Sequence, residues 1–381
     1  MKFNIHGSEF KTIIDRISAV VPNKTPIIGY TSIKITAKGN SIIFEAMDTI
    51  NFATINAYAN VYEEGCTYVL LSDLKKVLGV NSEITVTSDN EKIEIRNSKK
   101  SYEVRCYEFD WPEMPVLDNN DVMCAVRDNE FINHLSKIDC MRAHDNSINP
   151  MLSTFCMDLP NKKIVVLDSH RIGIVKLSNG MFCENREKLI VEGTIYKSLK
   201  SLVGKSKQDN NIDIYADEKN IMFCGDDWTL ITKRVLSEYF PYERMISDIQ
   251  STKEYSFEFD QKELGNIAKE YCKVITKNQK TPMIFYNNNG RIATSIEVGD
   301  YKTSDTIENI VPKFGMDNEF FCGFDPEFIE DACKVFDCKA EMYGTYSSKK
   351  PIVMTDDTYD VLILPINMVN ANLAFVKKQV A

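Results

Sequence analysis

The sequence predicts an α+β protein made of three repeated domains, each with two helices packed on antiparallel sheets. Three observations predict it. An amphipathic helix pattern recurs three times, a second helix pattern recurs between its copies, and the segments between helices alternate with period two.

The first pattern occurs at residues 7–17, 127–138 and 260–271. Each copy has a polar capping candidate, then Glu9, Glu130 or Glu263, then apolar residues three to four apart. That is an amphipathic helix with an acidic first turn. The glutamates fall 121 and 133 residues apart. The second pattern occurs at 72–78, 194–202 and 325–335, with Pro326 well placed in a first helical turn. Aligned on Leu74, Tyr196 and Phe328, its copies lie 122 and 132 residues apart, so the repeat is global.

Between the helices, Ile33-Lys34-Ile35 and 42–44 flank a turn at Lys38-Gly39-Asn40, and 84–86 and 93–95 flank 88–91. Residues 212–214 and 221–223 flank 216–219, while 285–286 and 292–293 flank Asn287-Asn288-Asn289-Gly290. Asn-Gly is a strong hairpin signal, and the alternation implies sheets with one buried face. Two helices on one face of an antiparallel sheet give an α+β domain. The expected domains are 1–120, 121–250 and 251–381. Polar connectors at Leu117-Asp118-Asn119-Asn120-Asp121 and at 247–252 divide them, each after a similar strand end, at 108–112 and 238–241.

The 381 residues exceed one ordinary core, and 44% hydrophobic with 26% charged residues is the balance of a soluble globular protein. No run approaches the roughly 18 apolar residues of a membrane span. The start, Met1-Lys2-Phe3-Asn4-Ile5, has no apolar signal core, so a cytoplasmic protein is expected. The 11 cysteines form no C-x-x-C pair, and Cys333 and Cys338 have no His or further Cys nearby to complete a zinc set. Free thiols in a reducing compartment, with no metal and no cofactor, are the expectation.

Net charge is −10, which on its face disfavours nucleic acid. The distribution points the other way. Lys11, Arg16, Lys24, Lys75 and Lys76 gather on or beside the helices of the first unit. Lys137, Arg142, Lys197, Lys200, Lys205 and Lys207 do so in the second, and Lys262, Lys269, Lys273 and Lys277 in the third. Acidic residues crowd other segments, such as Glu63-Glu64 and Asp356-Asp357. If the helices face one way, that face is basic. Nothing in these segments supports base reading or stacking on single strands, so sequence-independent phosphate contact is expected.

No H-E-x-x-H, phosphate-binding or dinucleotide-binding motif is present. Asp168, Ser169 and His170 have the residue types of a hydrolase triad, but neighbours on an extended chain point to opposite sides and cannot converge through adjacency. The chain is therefore expected not to be an enzyme. A hydrolase at 168–170 and a protein adaptor that never touches DNA are the other two readings.

Met1-Lys2-Phe3 with the Glu9-Phe10 helix, Pro26-Ile27-Ile28-Gly29, Asp168-Ser169-His170-Arg171-Ile172, Phe240-Pro241 and Leu362-Ile363-Leu364-Pro365-Ile366 occur in that order. Together they resemble the bacterial sliding clamp family, the beta subunit of DNA polymerase III, over residues 1 to about 368. The resemblance implies the DNA clamp fold in a head-to-tail dimer ring, a processivity factor whose helices line a hole around duplex DNA. It implies phosphate contacts from Lys24, Lys75, Lys76, Arg142, Lys197, Lys200, Lys205 and Lys207, and a homodimer interface in which Tyr102 and Val104 face Val274 and Ile275. It also implies a pocket for short peptides of the DNA polymerase III alpha subunit, the clamp loader and other replication and repair proteins. The matching residues are Leu152, Leu167, Ser169, His170, Arg171, Ile172, Pro241, Met245, Ile246, Ile352, Val353, Leu364, Pro365 and Ile366. Ser169 stands where the family usually has Gly, and Met245 where an Arg is common. Residues 369–381 extend past the usual end. Leu373 and Phe375 there faintly resemble the apolar end of a clamp-binding peptide and are a candidate occupant of the pocket.

Overall fold

A computed structural model describes residues 1–77, 81–89, 91–117, 122–144, 149–177, 182–183, 187–205, 210–276, 281–288 and 291–368. The chain divides into two compact units. One consists of Met1–Asn133 with Asn179–Leu236, the other of His134–Ser178 with Ser237–Ala381. Among the described residues there are seven α-helices: α1 (Gly7–Ile17), α2 (Leu71–Val77), α3 (Asp128–Ile138), α4 (Ile195–Val203), α5 (Tyr242–Ser251), α6 (Gln261–Val274) and α7 (Pro326–Val335). No described helix is long and apolar enough to cross a membrane.

Among the described residues of the first unit, fourteen antiparallel strands form one sheet, from Phe182–Cys183 at one end to Asn60–Glu63 at the other. Strand Trp228–Lys233 pairs with Asn51–Tyr58, Trp228 opposite Ile55, and so joins the strands of the first and second repeats. Alternate residues of Ser41–Met47 are buried, as period-two patterning requires. The α1 helix lays Phe10, Ile13, Ile14 and Ile17 on this sheet, and the Phe10 ring meets Phe44 edge-on at 5.8 Å. Each such side chain contributes about 1.5–3 kcal/mol by leaving water. The expected hairpins are present at Ser32–Lys38 with Ser41–Met47, Glu83–Ser88 with Lys92–Arg96, and Asn211–Ala216 with Asn220–Cys224. Asp89 and Asp217 close two of the turns by accepting pairs of backbone N–H bonds at 2.7–2.8 Å.

In the second unit, strands run in the order Thr154–Asp158, Lys163–Leu167, Arg171–Lys176, Tyr359–Ile363, Ile352–Thr355, Ala340–Gly344, Tyr255–Phe259 and Val311–Phe314. A separate four-stranded sheet runs Tyr301–Thr306, Arg291–Val298, Met283–Asn288, Phe321–Phe324. Asp260 caps α6 by accepting from the Lys262 and Glu263 N–H groups, and Asp325 caps α7 from Glu327 with Pro326 in the first turn.

The first helices superpose in register: Phe10, Phe131 and Leu264 are buried, as are Ile14, Leu135 and Ala268, and Ile17, Ile138 and Tyr271. The second helices need a correction. Burial aligns Leu74 with Leu199 and Ala332, and Val77 with Leu202 and Val335. The expected partners Tyr196 and Phe328 lie about one turn earlier, and with 3.6 residues per turn an apolar stripe cannot separate registers one turn apart. A second correction concerns the polar connector at 247–252. Its residues 247–251 are the last turns of α5, which buries Tyr242 and Ile249 and turns its polar side chains to water. Residues 238–241 and 108–112 carry no strand. Residues 118–121 of the first connector lie outside the described residues.

Candidate partner groove and basic helix faces

The turn at Asp168–Arg171 joins two strands of the second unit and is locked by its own charges. Asp168 Oδ1 accepts from the backbone N–H groups of His170 and Arg171 at 2.7 Å, and Oδ2 accepts from Arg171 Nε at 3.0 Å. Arg171 then donates from Nη1 to Asp331 Oδ2 at 2.9 Å and from Nη2 to the Cys140 carbonyl at 2.7 Å. Its guanidinium lies 4.2 Å from the centre of the Phe328 ring, a cation–π contact, while the His170 ring lies 5.7 Å from that ring. Burial disfavours the Arg171 charge, but Asp168 and Asp331 outweigh it and raise its pKa. The Asp168 carboxylate is therefore spent on Arg171 and the backbone and does not orient the imidazole. Burial pushes the thiols of Cys140 up to about 11 and of Cys272 and Cys322 up to about 12, so none of these is a thiolate at neutral pH.

Beside this turn lies a groove of about 520 Å³ in the same unit. The strand Tyr359–Ile363 pairs with Arg171–Lys176, and the chain leaves it as Leu364 donates its N–H to the His170 carbonyl at 2.9 Å. The opposite wall is α5, anchored where buried Tyr242 donates to Asp158 Oδ2 at 2.7 Å. Pro241, Met245, Ile249, Pro351 and Leu364 supply apolar lining, with Phe240 exposed at the edge, and Arg244, Asp248, Thr252, Thr345 and Lys350 supply the polar lining. This is the composition of a site for a short amphipathic peptide.

Of the fourteen expected pocket residues, Pro241, Met245 and Leu364 line this groove. Ser169 and His170 are exposed, and Leu152, Ile246, Pro365 and Ile366 are half-buried. Leu167, Ile172, Ile352 and Val353 are buried, the last two at 1% and 0% exposure, and none of the four is among the residues lining the groove. They belong to paired central strands, which place both side-chain rows in the interior. Arg171 acts from behind, through the turn. The residues that sequence reasoning missed, chiefly Ile249, Thr252 and Arg244, lie on or at the end of α5. The spacing of Pro241, Met245 and Ile249 carried the signal, hidden while the end of that helix was read as a connector. Residues 369–381, with Leu373 and Phe375, lie outside the described residues.

Of the expected phosphate contacts, Lys24, Lys75, Lys76, Lys197, Lys200 and Lys205 are exposed, the first unit holding all six. Lys207 lies outside the described residues. Arg142 is a correction. Its side chain is 8% exposed and donates to Asp139 Oδ1 at 2.8 and 3.0 Å and to the Ser153 carbonyl at 3.1 Å. An arginine satisfied in this way is a strut of the fold, its donors directed inward and away from phosphate. Arg16 and Lys137 are likewise mostly buried, in ion pairs with Asp227 and Asp337 at 2.6 Å. A uniformly basic set of helices is not observed either: α7 carries Glu327, Glu330 and Asp331, and its Lys334 is paired with the last two.

The expected interface residues fall on an open edge. Strand Ser101–Tyr107 pairs with Lys92–Arg96 along residues 101–105, but with Gly65–Leu70 only at Cys106 and Tyr107. Tyr102 and Val104 are half-buried there, and the second edge of 101–105 has no strand partner among the described residues. In the second unit, Tyr301–Thr306 ends its sheet with one edge equally unpartnered among the described residues, and Val274 and Ile275 are half-buried at the end of α6. Unpartnered edges invite further strands.

A scan against family models finds no match. The beta sliding clamp of Chlamydia muridarum is 21% identical over 375 residues, 96% of this chain and 98% of that protein. Among solved structures, a putative DNA polymerase III beta subunit from Eubacterium rectale is 20% identical with a TM-score of 0.86, and the DNA polymerase sliding clamp of Bacillus subtilis is 15% identical with a TM-score of 0.86. Each alignment covers 97% of this chain and 100% of the other. The architecture is thus the clamp fold. Sequence similarity to beta sliding clamps runs along nearly the whole length of the chain, at 21% identity to those of Chlamydia muridarum, Chlamydia trachomatis and Chlamydia pneumoniae.

Proposed function

We propose that the chain is a DNA sliding clamp that works as a ring of two copies closed head to tail around duplex DNA. In this reading residues 1–120, 121–250 and 251–381 are three clamp domains, and the open edge at 101–105 of one copy meets the end of α6 and the edge at 301–306 of the other. The observation that carries the reading is the set of six exposed lysines on and beside the repeated helices of a chain whose net charge is −10. Such a surface attracts phosphates without choosing sequence, while the acidic remainder discourages adhesion elsewhere. Topological linkage then replaces tight affinity, and no catalytic group is needed. The groove between α5 and Leu364 receives short apolar segments of the DNA polymerase III alpha subunit, the clamp loader and other replication and repair proteins, in the cytoplasm.

The test is retention on DNA. Loaded with a clamp loader and ATP, the protein is expected to stay on nicked circular plasmid through gel filtration and to leave once the plasmid is linearised. Equal retention on both forms favours an adaptor or an ordinary DNA binder. The groove has its own test. Leu364→Asp is expected to weaken binding of an alpha-subunit peptide by about 10- to 100-fold in fluorescence anisotropy, the equivalent of losing one buried leucine. Unchanged affinity moves the peptide site elsewhere.

A further inference from the structure

The turn beside the partner groove has a twin in the first unit. Asp48 Oδ1 accepts from the backbone N–H groups of Ile50 at 2.8 Å and Asn51 at 2.7 Å, and Oδ2 accepts from Asn51 Nδ2 at 3.0 Å. Asp168 holds His170 and Arg171 in the same pattern of three bonds. The Lys233 N–H reaches the Ile50 carbonyl at 3.1 Å, as that of Leu364 reaches the His170 carbonyl. The flanking strands pair in matching register, Phe52 opposite Ile231 and Ile172 opposite Leu362. Met47, Phe52 and Lys233 therefore stand in the first unit where Leu167, Ile172 and Leu364 stand in the second. Those three belong to the set that the family resemblance assigns to partner peptides.

The wall is what differs. In the second unit Pro241 opens α5, which stands to one side and leaves the groove of about 520 Å³. In the first unit Pro112 closes the matching segment Glu108-Phe109-Asp110-Trp111-Pro112, but no helix follows it. Pro115 lacks a backbone donor and biases Met114 to extended geometry, which opposes a helix there. Residues 109–117 instead form a strap across the floor. Leu117 is buried with Met47, Phe52 and Ile231, and Trp111 and Met114 pack on that cluster, as do Tyr215 and Met222. The Trp111 ring also meets Tyr68 at 5.5 Å. Apolar contact alone holds the strap. Among the described residues, 109–117 enter no strand, hydrogen bond or ion pair, and Trp111 Nε1–H is buried without an acceptor. An unpaired buried donor weakens its seat.

We propose that the junction of the first two repeats, inside the first unit, is a second site for short apolar peptides of replication proteins, closed by the strap 109–117 and opened when such a peptide displaces it. The inference rests on the peptide-binding reading of the α5 groove given above. Trp111, Met114 and Leu117 set out the ligand's chemistry: an extended segment with one aromatic anchor and two aliphatic ones. Because the covered form does not bind, the strap lowers the apparent affinity by the fraction of chains in which it is lifted.

Trp111 supplies the test, since the chain has only two tryptophans and Trp228→Phe leaves it as the sole emitter. The probe is an alpha-subunit peptide without tryptophan, added to the full chain. Filling the α5 groove is expected to leave Trp111 emission unchanged. A second phase, at about 10- to 100-fold higher peptide, is expected to move the emission to longer wavelength as the strap lifts. Met114→Ser with Leu117→Ser loosens the strap and leaves the floor intact. It should bring the second phase to about tenfold lower peptide and leave the first phase in place. Trp111 emission that stays fixed up to millimolar peptide in both chains overturns the inference and makes the strap a permanent plug. So does a loosened chain that loses stability and gains no second phase. The two readings fail separately: a first phase indifferent to Leu364→Asp overturns the α5 groove, and the Trp111 phase alone decides the strap.

Discussion

Arg171→Leu is expected to destabilise the second unit by about 3–5 kcal/mol, the range for removing one partner from a buried ion pair. The side chains of Arg171, Asp168 and Asp331 are 8%, 15% and 18% exposed, so little solvent screens them. The substitution leaves two carboxylates in a poorly hydrated site, strands the Cys140 carbonyl and removes the cation from the Phe328 ring. Denaturant unfolding followed by circular dichroism should show the midpoint fall with the slope unchanged. Adding Asp331→Leu should return part of the loss, because it removes a largely buried carboxylate whose remaining cationic partner is Lys334 at 3.1 Å. A midpoint equal to wild type would mean that the turn holds its shape without the arginine. Since Leu364 hangs from the carbonyl of His170 in this turn, peptide affinity in the groove should fall in the same variant.

What the sequence disclosed was periodicity. Phe10, Phe131 and Leu264 repeat an amphipathic stripe that no other fold element produces, and the helices lie where the stripe places them. Three kinds of fact were hidden. Register within a helix was ambiguous by one turn, hence Tyr196 standing where Leu199 belongs. Helix α5 escaped because its exposed side, Ser247, Asp248 and Gln250, has the composition of a linker, and only burial distinguishes a solvated face from a loop. Charge alone could not say whether an arginine meets solvent or the fold. Arg142 looked like Lys197 in the sequence, yet Asp139 sits three residues before it and claims the guanidinium. The groove was legible at Pro241, Met245 and Leu364, which the resemblance supplied, and obscure along the later turns of α5, at Ile249 and Thr252.

The largest effect on DNA is expected from replacing Lys24, Lys75, Lys76, Lys197, Lys200 and Lys205 together by alanine. Each lysine that neutralises a phosphate contributes about 0.9 to the slope of log affinity against log salt. If only half of the six touch phosphates at one time in each copy, a ring of two copies makes about six contacts, so the slope should fall by about 5, and affinity for duplex DNA at low salt should drop by at least about a hundredfold. Loading onto nicked plasmid should fail with it, while groove affinity for peptide should stay unchanged, since Lys350 and Arg244 are untouched. Arg142→Ala makes the internal contrast. Its loss should cost about 2–3 kcal/mol of stability by leaving Asp139 without its partner, with the salt slope unmoved. A slope that falls for Arg142→Ala and holds for the six lysines would reverse the assignment, putting the phosphate contacts on the buried arginine and making the exposed helix faces mere solvated surface.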